Sequence, residues 1–394
     1  MKHITILKLL FISLIIGGVS GTIIGMFLLI LEKAIDLNLK YNWLIYILPF
    51  SGVFMTYLYS KYGGNSQKGN NIIIENINGS NEKIKFIMAP LVFLGTVLTH
   101  LFGGSVGREG TGVQIGGTIG NALSNLFKSK GEEKKVLLIS GVSAGFSAVF
   151  GTPLTATVFA LEISSIGNLS YNAMLPAIGS AIIADKFTRA LGVNHSRYGT
   201  PVIEATSFFN ILNVIIMAIC FGLASKLFIY LTGVFKKLLS KYTPNSYIKI
   251  IVGGTVMVIA TLIIGNRLYN NLSLGLLNNA FKGEVPYFAF IIKLILTTLC
   301  LGAGYQGGEV TPLFVIGATL GASLSSILGG PIENAAALGM IGVFSGATNA
   351  PLASFMMYLE MFGSNNIVFA LLVCIISIFI SGKKGIYSSQ IWIQ

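Results

Sequence analysis

Long apolar segments separated by short polar ones recur along the chain, at residues 5–31, 43–59, 86–102, 208–232, 249–265, 286–301 and 366–381. A helix needs about 20 apolar residues to cross a bilayer core, and each of these segments reads as a spanning helix. Other apolar stretches are shorter or are broken by Gly and Pro. The pattern therefore predicts an all-α, multi-pass integral membrane protein of the cell membrane, built from many tilted and broken helices. No polar stretch is long enough for a separate soluble unit. Residues 1–394 are expected to form a single membrane domain, ending without a C-terminal cytoplasmic regulatory domain.

Composition agrees with this pattern. Of the residues, 53% are hydrophobic and 10% charged, against about 25% charged in soluble domains, and the mean hydropathy is +0.78. The Lys and Arg residues behind the formal net charge of +12 lie in short loops, as in Lys61, Lys68, Lys83, Lys85 and "KSKGEEKK" at 128–135. That distribution follows the positive-inside rule and does not describe a nucleic-acid patch. Met1, Lys2 and Lys8 place the N-terminus on the cytoplasmic side. The first apolar segment is too long for the h-region of a cleaved signal and is expected to be retained. Cys220, Cys300 and Cys374 lie singly within apolar segments and read as core residues.

The chain also repeats itself. "GREGTGVQIGGTIG" (107–120) aligns with "GEVTPLFVIGATLG" (308–321), with Gly107, Ile115, Gly116, Thr118 and Gly120 matched by identical residues. At nearly the same offset, "FSAVFGTPLTATVFALE" (146–162) aligns with "FSGATNAPLASFMMYLE" (344–360). Two matches argue for a duplication into halves of about 1–200 and 201–394. Glycine, at 47 residues, is well above the usual ~7%. Glycines in a bundle also serve close helix packing, but duplicated halves interrupted by Gly and Pro point to a transporter with its site where the repeats meet.

Thr311-Pro312 has the form of an N-cap followed by Pro at the first helical position, and Gly110-Thr111 stands in the same register. Thr152-Pro153 and Ala350-Pro351 read as two more helix starts. Helices that begin inside a membrane offer free N–H groups and a positive dipole end, and several converging starts make an anion site without a basic side chain. A full counter-charge would hold the ion too tightly for release.

Most of the 14 carboxylates fall in or near polar stretches; Glu109, Glu162, Glu309 and Glu360 do not. An intramembrane glutamate is a proton-carrier or gate candidate. Glu109 and Glu309 each adjoin a helix start, where an ionised carboxylate occupies an anion's place and a protonated one leaves it. Glu162 and Glu360 close matched helices and read as a structural pair, and Arg108 as a structural cation. "GVSAG" (141–145) matches the nucleophile-elbow pattern, with Ser143 as nucleophile and His100 or His195 as base. Its helical, apolar surroundings lack the strand-turn-helix context that an intramembrane hydrolase needs. Neither a metal site nor a cofactor motif nor a P-loop is present, and the chain reads as a non-enzyme.

The segments "GREGTGVQIGGTIG" and "GGEVTPLFVIGATLG", with the Pro-Leu helix starts, resemble the CLC anion channels and transporters over nearly the whole chain. The resemblance implies two inverted halves per subunit, a pore in each subunit, a homodimer in the lipid bilayer, and Glu109 as gating glutamate. Where chloride-handling members read G-S-G-I-P, this chain has "GNNII" at 69–73, which puts Asn70 at an anion-coordinating position. Their G-R-E-G-P is here G-R-E-G-T, with Gly110 and Thr111, and their G-x-F-x-P is G-E-V-T-P, with Glu309, Val310 and Thr311. These departures resemble the fluoride/proton antiporter branch. The resemblance makes Tyr387 the pore tyrosine of the last segment. Exchangers of chloride for protons carry a second glutamate at the position that is Ile163 here, so the resemblance implies another proton relay. Anion-binding residues are thus expected to be Asn70, Val310, Thr311, Tyr387, Gly110 and Thr111, with Glu109 and Glu309 in gating and proton transfer. The substrates are expected to be fluoride and protons. Fluoride's strong hydration fits such compact hydrogen-bond donors, and the chloride exchanger or passive channel is the alternative.

Overall fold

The computed structural model describes residues 3–195 and 208–392. Met1, Lys2 and the expected boundary between halves near residue 200 lie outside these residues. Among them are sixteen α-helices. The first eight are α1 (His3–Lys40), α2 (Leu48–Leu58), α3 (Asn70–Ile77), α4 (Met88–Leu101), α5 (Glu109–Leu126), α6 (Glu132–Phe150), α7 (Pro153–Glu162) and α8 (Met174–Ala190). The second eight are α9 (Phe208–Tyr242), α10 (Ser246–Ile264), α11 (Leu274–Lys282), α12 (Ala289–Ala303), α13 (Val310–Leu328), α14 (Ile332–Thr348), α15 (Pro351–Phe362) and α16 (Ile367–Ser381). Two two-residue strands, β1 (Ser165–Ile166) and β2 (Ile391–Trp392), pair in parallel and fasten the C-terminal tail beside the end of α7.

Among the described residues, five helical stretches are long and apolar enough to cross a membrane: Ile6–Lys40, Asn42–Lys68, Ile211–Tyr242, Ser246–Ile264 and Val310–Leu328. The first four coincide with expected spans. Three other expected spans do not reach that length, because 86–102, 286–301 and 366–381 form helices of 14, 15 and 15 residues. At 1.5 Å per residue these are about 21–23 Å long, short of a core of about 30 Å. The reason is local. α4 gives way to Gly103 at φ +78° and α12 to Gly304 at φ +105°, left-handed conformations that end a helix at glycine. The chain then turns back within the bundle through residues 102–108 and 304–309.

Large apolar side chains such as Phe11, Phe50, Tyr230, Ile263 and Phe379 point outward, the surface of a protein whose solvent is lipid. The interior is built from α5, α6, α13 and α14, buried along most of their lengths. Glycine decides how closely these helices approach. A methyl group on Gly116 would lie 2.1 Å from the Gly141 carbonyl oxygen, and one on the matched Gly317 would lie 2.1 Å from that of Gly339. Part of the glycine enrichment is therefore helix packing, at equivalent places in both repeats.

Glu162 and Glu360 bind across the halves. Glu162 accepts hydrogen bonds from the backbone N–H groups of Leu352 (3.2 Å) and Ala353 (2.9 Å) at the start of α15. Glu360 accepts from Leu154 N (3.0 Å) and from Thr155 N and Oγ1 (both 2.6 Å) at the start of α7. Each carboxylate thus satisfies free N–H groups of the other repeat's helix, whose loss would cost about 1–3 kcal/mol per buried donor. This corrects the expectation that the starts at Thr152-Pro153 and Ala350-Pro351 join an anion site, since internal carboxylates fill both.

Candidate functional site

The two motif loops meet at a single antiparallel bridge between Gly107 and Gly308. Gly107 N donates to Gly308 O at 2.5 Å and Gly308 N to Gly107 O at 2.7 Å. This bridge sets the N-termini of α5 and α13 face to face. A side chain at Gly308 would come within 2.9 Å of Glu109 N and 2.6 Å of Gly110 N, so its glycine keeps the first N–H groups of α5 open. Both positive dipole ends address one small region.

Glu109 occupies that region and is fully buried (0% exposed). Its Oε2 accepts from Thr311 N at 3.0 Å and from Arg108 N at 3.1 Å, and Oε1 accepts from the Thr311 hydroxyl. The carboxylate of one repeat therefore binds the helix start of the other, in the manner of an anion. Arg108 Nε stands 3.9 Å from Glu109 Oε1, so the cation adjoins the carboxylate and is not turned wholly to carbonyls or water.

Glu309 is the N-cap of α13, which begins at Val310. The expected cap at Thr311 is displaced by two residues. Pro312 falls in the third helical position, which the missing N–H of proline tolerates anywhere in the first turn. Freed from capping, the Thr311 hydroxyl binds Glu109. Glu309 lies within Coulombic reach of Glu109, and its Oε2 accepts no hydrogen bond among the described residues.

Asn70 opens α3 and is buried. A methyl group on Gly110 would lie 3.2 Å from Asn70 Nδ2 and 3.5 Å from Glu309 Oε2, so Asn70, Gly110 and Glu309 border one space. Tyr387 is buried, within Coulombic reach of both glutamates, its ring 6.3 Å from that of Phe159. Its loop is fixed to α3, where Ser389 N donates to Asn71 Oδ1 (3.1 Å) and Ser389 Oγ to Glu75 Oε1 (2.9 Å). Val310 contributes buried apolar surface. The Thr111 hydroxyl is paired with Thr96 of α4 at 2.6 Å, which leaves only the Thr111 backbone toward the helix start.

Ser143 sits within α6 and donates to Ala177 O at 3.1 Å. His100 Nδ1 bonds Thr96 O at 2.8 Å and His195 Nε2 bonds Ala148 O at 3.0 Å. Each of the three bonds a separate backbone carbonyl, and no Ser143–histidine hydrogen bond is found among the described residues.

Two residues near the site escaped the sequence reading. Gln114 lies one turn beyond Gly110 on α5, 6% exposed. Lys293, on α12, is fully buried, its Nζ donating to Ser105 Oγ (3.0 Å), Tyr269 O (3.1 Å), Asn271 O (2.8 Å) and Ser273 Oγ (2.9 Å). It ties the loop leading to Glu109 to the loop before α11. A lone lysine in an apolar segment was a visible signal, whereas Gln114 is a single polar residue in a run of small ones.

Residues 51–382 match the family model described as voltage gated chloride channel. A "Chloride/fluoride channel protein" of Pseudomonas syringae pv. tomato is 36% identical, over 98% of this chain and 86% of its own length. The H(+)/Cl(-) exchange transporter ClcA of Vibrio cholerae is 23% identical over 98% of this chain and 90% of its own. Among solved structures, a CLC-type fluoride/proton antiporter superposes with a TM-score of 0.97 at 34% identity, covering 100% of both chains. A slow cyanobacterial Cl-/H+ antiporter superposes at 0.85 with 18% identity, covering 97% of this chain and 96% of that one. With two glycine-bridged repeats around a buried glutamate, and likeness over essentially its full length, the chain belongs to the voltage-gated chloride channel, or CLC, family of multi-pass membrane proteins.

Proposed function

We propose that this protein is a fluoride/proton antiporter that exports cytoplasmic fluoride in exchange for protons, and that it works as a homodimer. The observation that carries the reading is the Glu109 carboxylate lodged against Thr311 N–H and Oγ1, with the second carboxylate of Glu309 beside it. In this reading an ionised Glu109 holds the helix start in the anion's stead. On protonation it loses its charge-assisted bonds and yields the place to fluoride, so the two ions alternate. Asn70, Thr311, Tyr387 and the backbone at Gly110, Thr111 and Val310 supply the anion's surroundings. Protonated, Glu309 donates to fluoride; ionised, it repels it. The similarity to a structure titled as a fluoride/proton antiporter and to a protein named for chloride and fluoride supports the choice of ions.

Anion efflux from loaded liposomes tests it. Fluoride efflux is expected to exceed chloride efflux by at least about tenfold, the worth of roughly one good hydrogen bond. A protonophore is expected to speed fluoride efflux, because fluoride leaving and protons entering move charge in the same direction. Equal efflux of the two anions would favour the chloride-handling reading.

A further inference from the structure

Gln114 occupies a position the fold does not require to be polar. In the aligned repeats it stands over Val315, which is fully buried at the equivalent turn of α13. Helix side chains lean toward the N-terminus, which carries the Gln114 amide back toward Gly110. There it lies against the cap of α3: a methyl group on Gly69 would be 3.4 Å from Gln114 Nε2 and 3.9 Å from its Oε1. The next residue is Asn70, whose Nδ2 shares the space at Gly110 with Glu309 Oε2. Three oxygens on these neighbouring side chains, Gln114 Oε1, Asn70 Oδ1 and Glu309 Oε2, are shielded from solvent and accept no hydrogen bond among the described residues. Buried acceptors without donors are costly and rare, and these three come from three elements: α5, α3 and the cap of α13.

All three are acceptors, and one belongs to a carboxylate. These oxygens call for a donor, which an anion at the Asn70 Nδ2 side of the space does not supply, whereas a water molecule donates two hydrogen bonds and needs two to four polar partners. We propose that Gln114 and Asn70 hold a water against Glu309 and that this water carries the proton between Glu309 and the cytoplasm, making Gln114 a positioning residue for the proton limb of the cycle. The inference rests on the antiport reading. In the step, the O–H bond of protonated Glu309 breaks as a bond to the water oxygen forms. The water passes one of its own protons on to cytoplasmic water, leaving the Glu309 carboxylate and a neutral bound water. One proton moves and no other bond changes.

The test measures proton uptake and fluoride efflux in the same liposomes, for the wild type and for Gln114→Met, which keeps the shape of the side chain and removes the acceptor. The proton-to-fluoride ratio is expected to fall at least about tenfold in Gln114→Met, the effect of roughly one lost hydrogen bond, while fluoride permeation persists. Gln114→Glu, which retains an acceptor, is expected to keep the wild-type ratio and serves alone if the Met variant does not fold. A wild-type ratio in Gln114→Met, a parallel loss of both fluxes, or loss of the proton flux alone in Gln114→Glu overturns the assignment. A wild type that moves no protons with fluoride overturns the antiport reading itself.

Discussion

Replacing Glu109 by glutamine is expected to turn the exchanger into a proton-independent fluoride leak. In the structure the carboxylate accepts from both the N–H and the hydroxyl of Thr311, and hydrogen bonds to a charged group contribute roughly 1.5–3 kcal/mol each. Glutamine presents an acceptor to one of these donors and an N–H₂ group to the other, so at least one bond is lost together with the charge. Loss of about 3 kcal/mol from the closed position makes the open one roughly 100-fold more populated. The amide also cannot bind and release a proton. Fluoride efflux from liposomes is therefore expected to continue in Glu109→Gln while coupled proton uptake drops to background. Coupling at the wild-type ratio in this variant would remove Glu109 from the mechanism.

Glu309→Gln is expected to have the second-largest effect and the opposite character. The substituted amide would not compete for the Thr311 donors, so the gate retains its hydrogen bonds and the anion path stays closed at rest. The side chain keeps its length and a donor toward fluoride but loses the capacity to give up a proton. Proton uptake is expected to fall about 100-fold, the lower end of what a positioned acid or base contributes to a transfer step. Fluoride efflux is expected to persist at a reduced rate, because Glu109 can still take up a proton and return it on one side, so the proton-to-fluoride ratio falls with the proton flux. A variant that transports both ions at wild-type rates would show that the second carboxylate is structural.

Apolar segment lengths and the glycine repeats made the membrane class and the duplicated motifs legible, because both are local properties of the chain. Legibility ended where tertiary partners decide. Whether residues 286–301 cross a bilayer depends on Gly304, where the helix turns back into the bundle. The Thr311-Pro312 pair looked like a cap, yet the chain starts its helix at Val310 and spends the threonine hydroxyl on a carboxylate about two hundred residues away in sequence. Thr111 stands in the same motif, and its hydroxyl turns to Thr96 on a neighbouring helix. Glu162 and Glu360 were readable as a pair, but not that each caps the other's helix, since that exchange exists only once the halves are packed together. Gln114 stands over Val315 in the aligned repeats, but the mismatch alone does not say where the amide goes, since its neighbours Gly69 and Asn70 come from the start of α3.

Obligatory exchange of fluoride for protons at one site requires that fluoride be able to drive protons uphill. Liposomes loaded with fluoride, their interior buffered more acidic than the medium and their voltage clamped near zero, are placed in fluoride-free solution and the external pH is followed. Fluoride efflux is predicted to drive protons inward against their own gradient, alkalinising the medium, and the signal is predicted to vanish in Glu109→Gln and Glu309→Gln. Fluoride efflux with protons moving only down their gradient, or not at all, would show that the two ions are not exchanged.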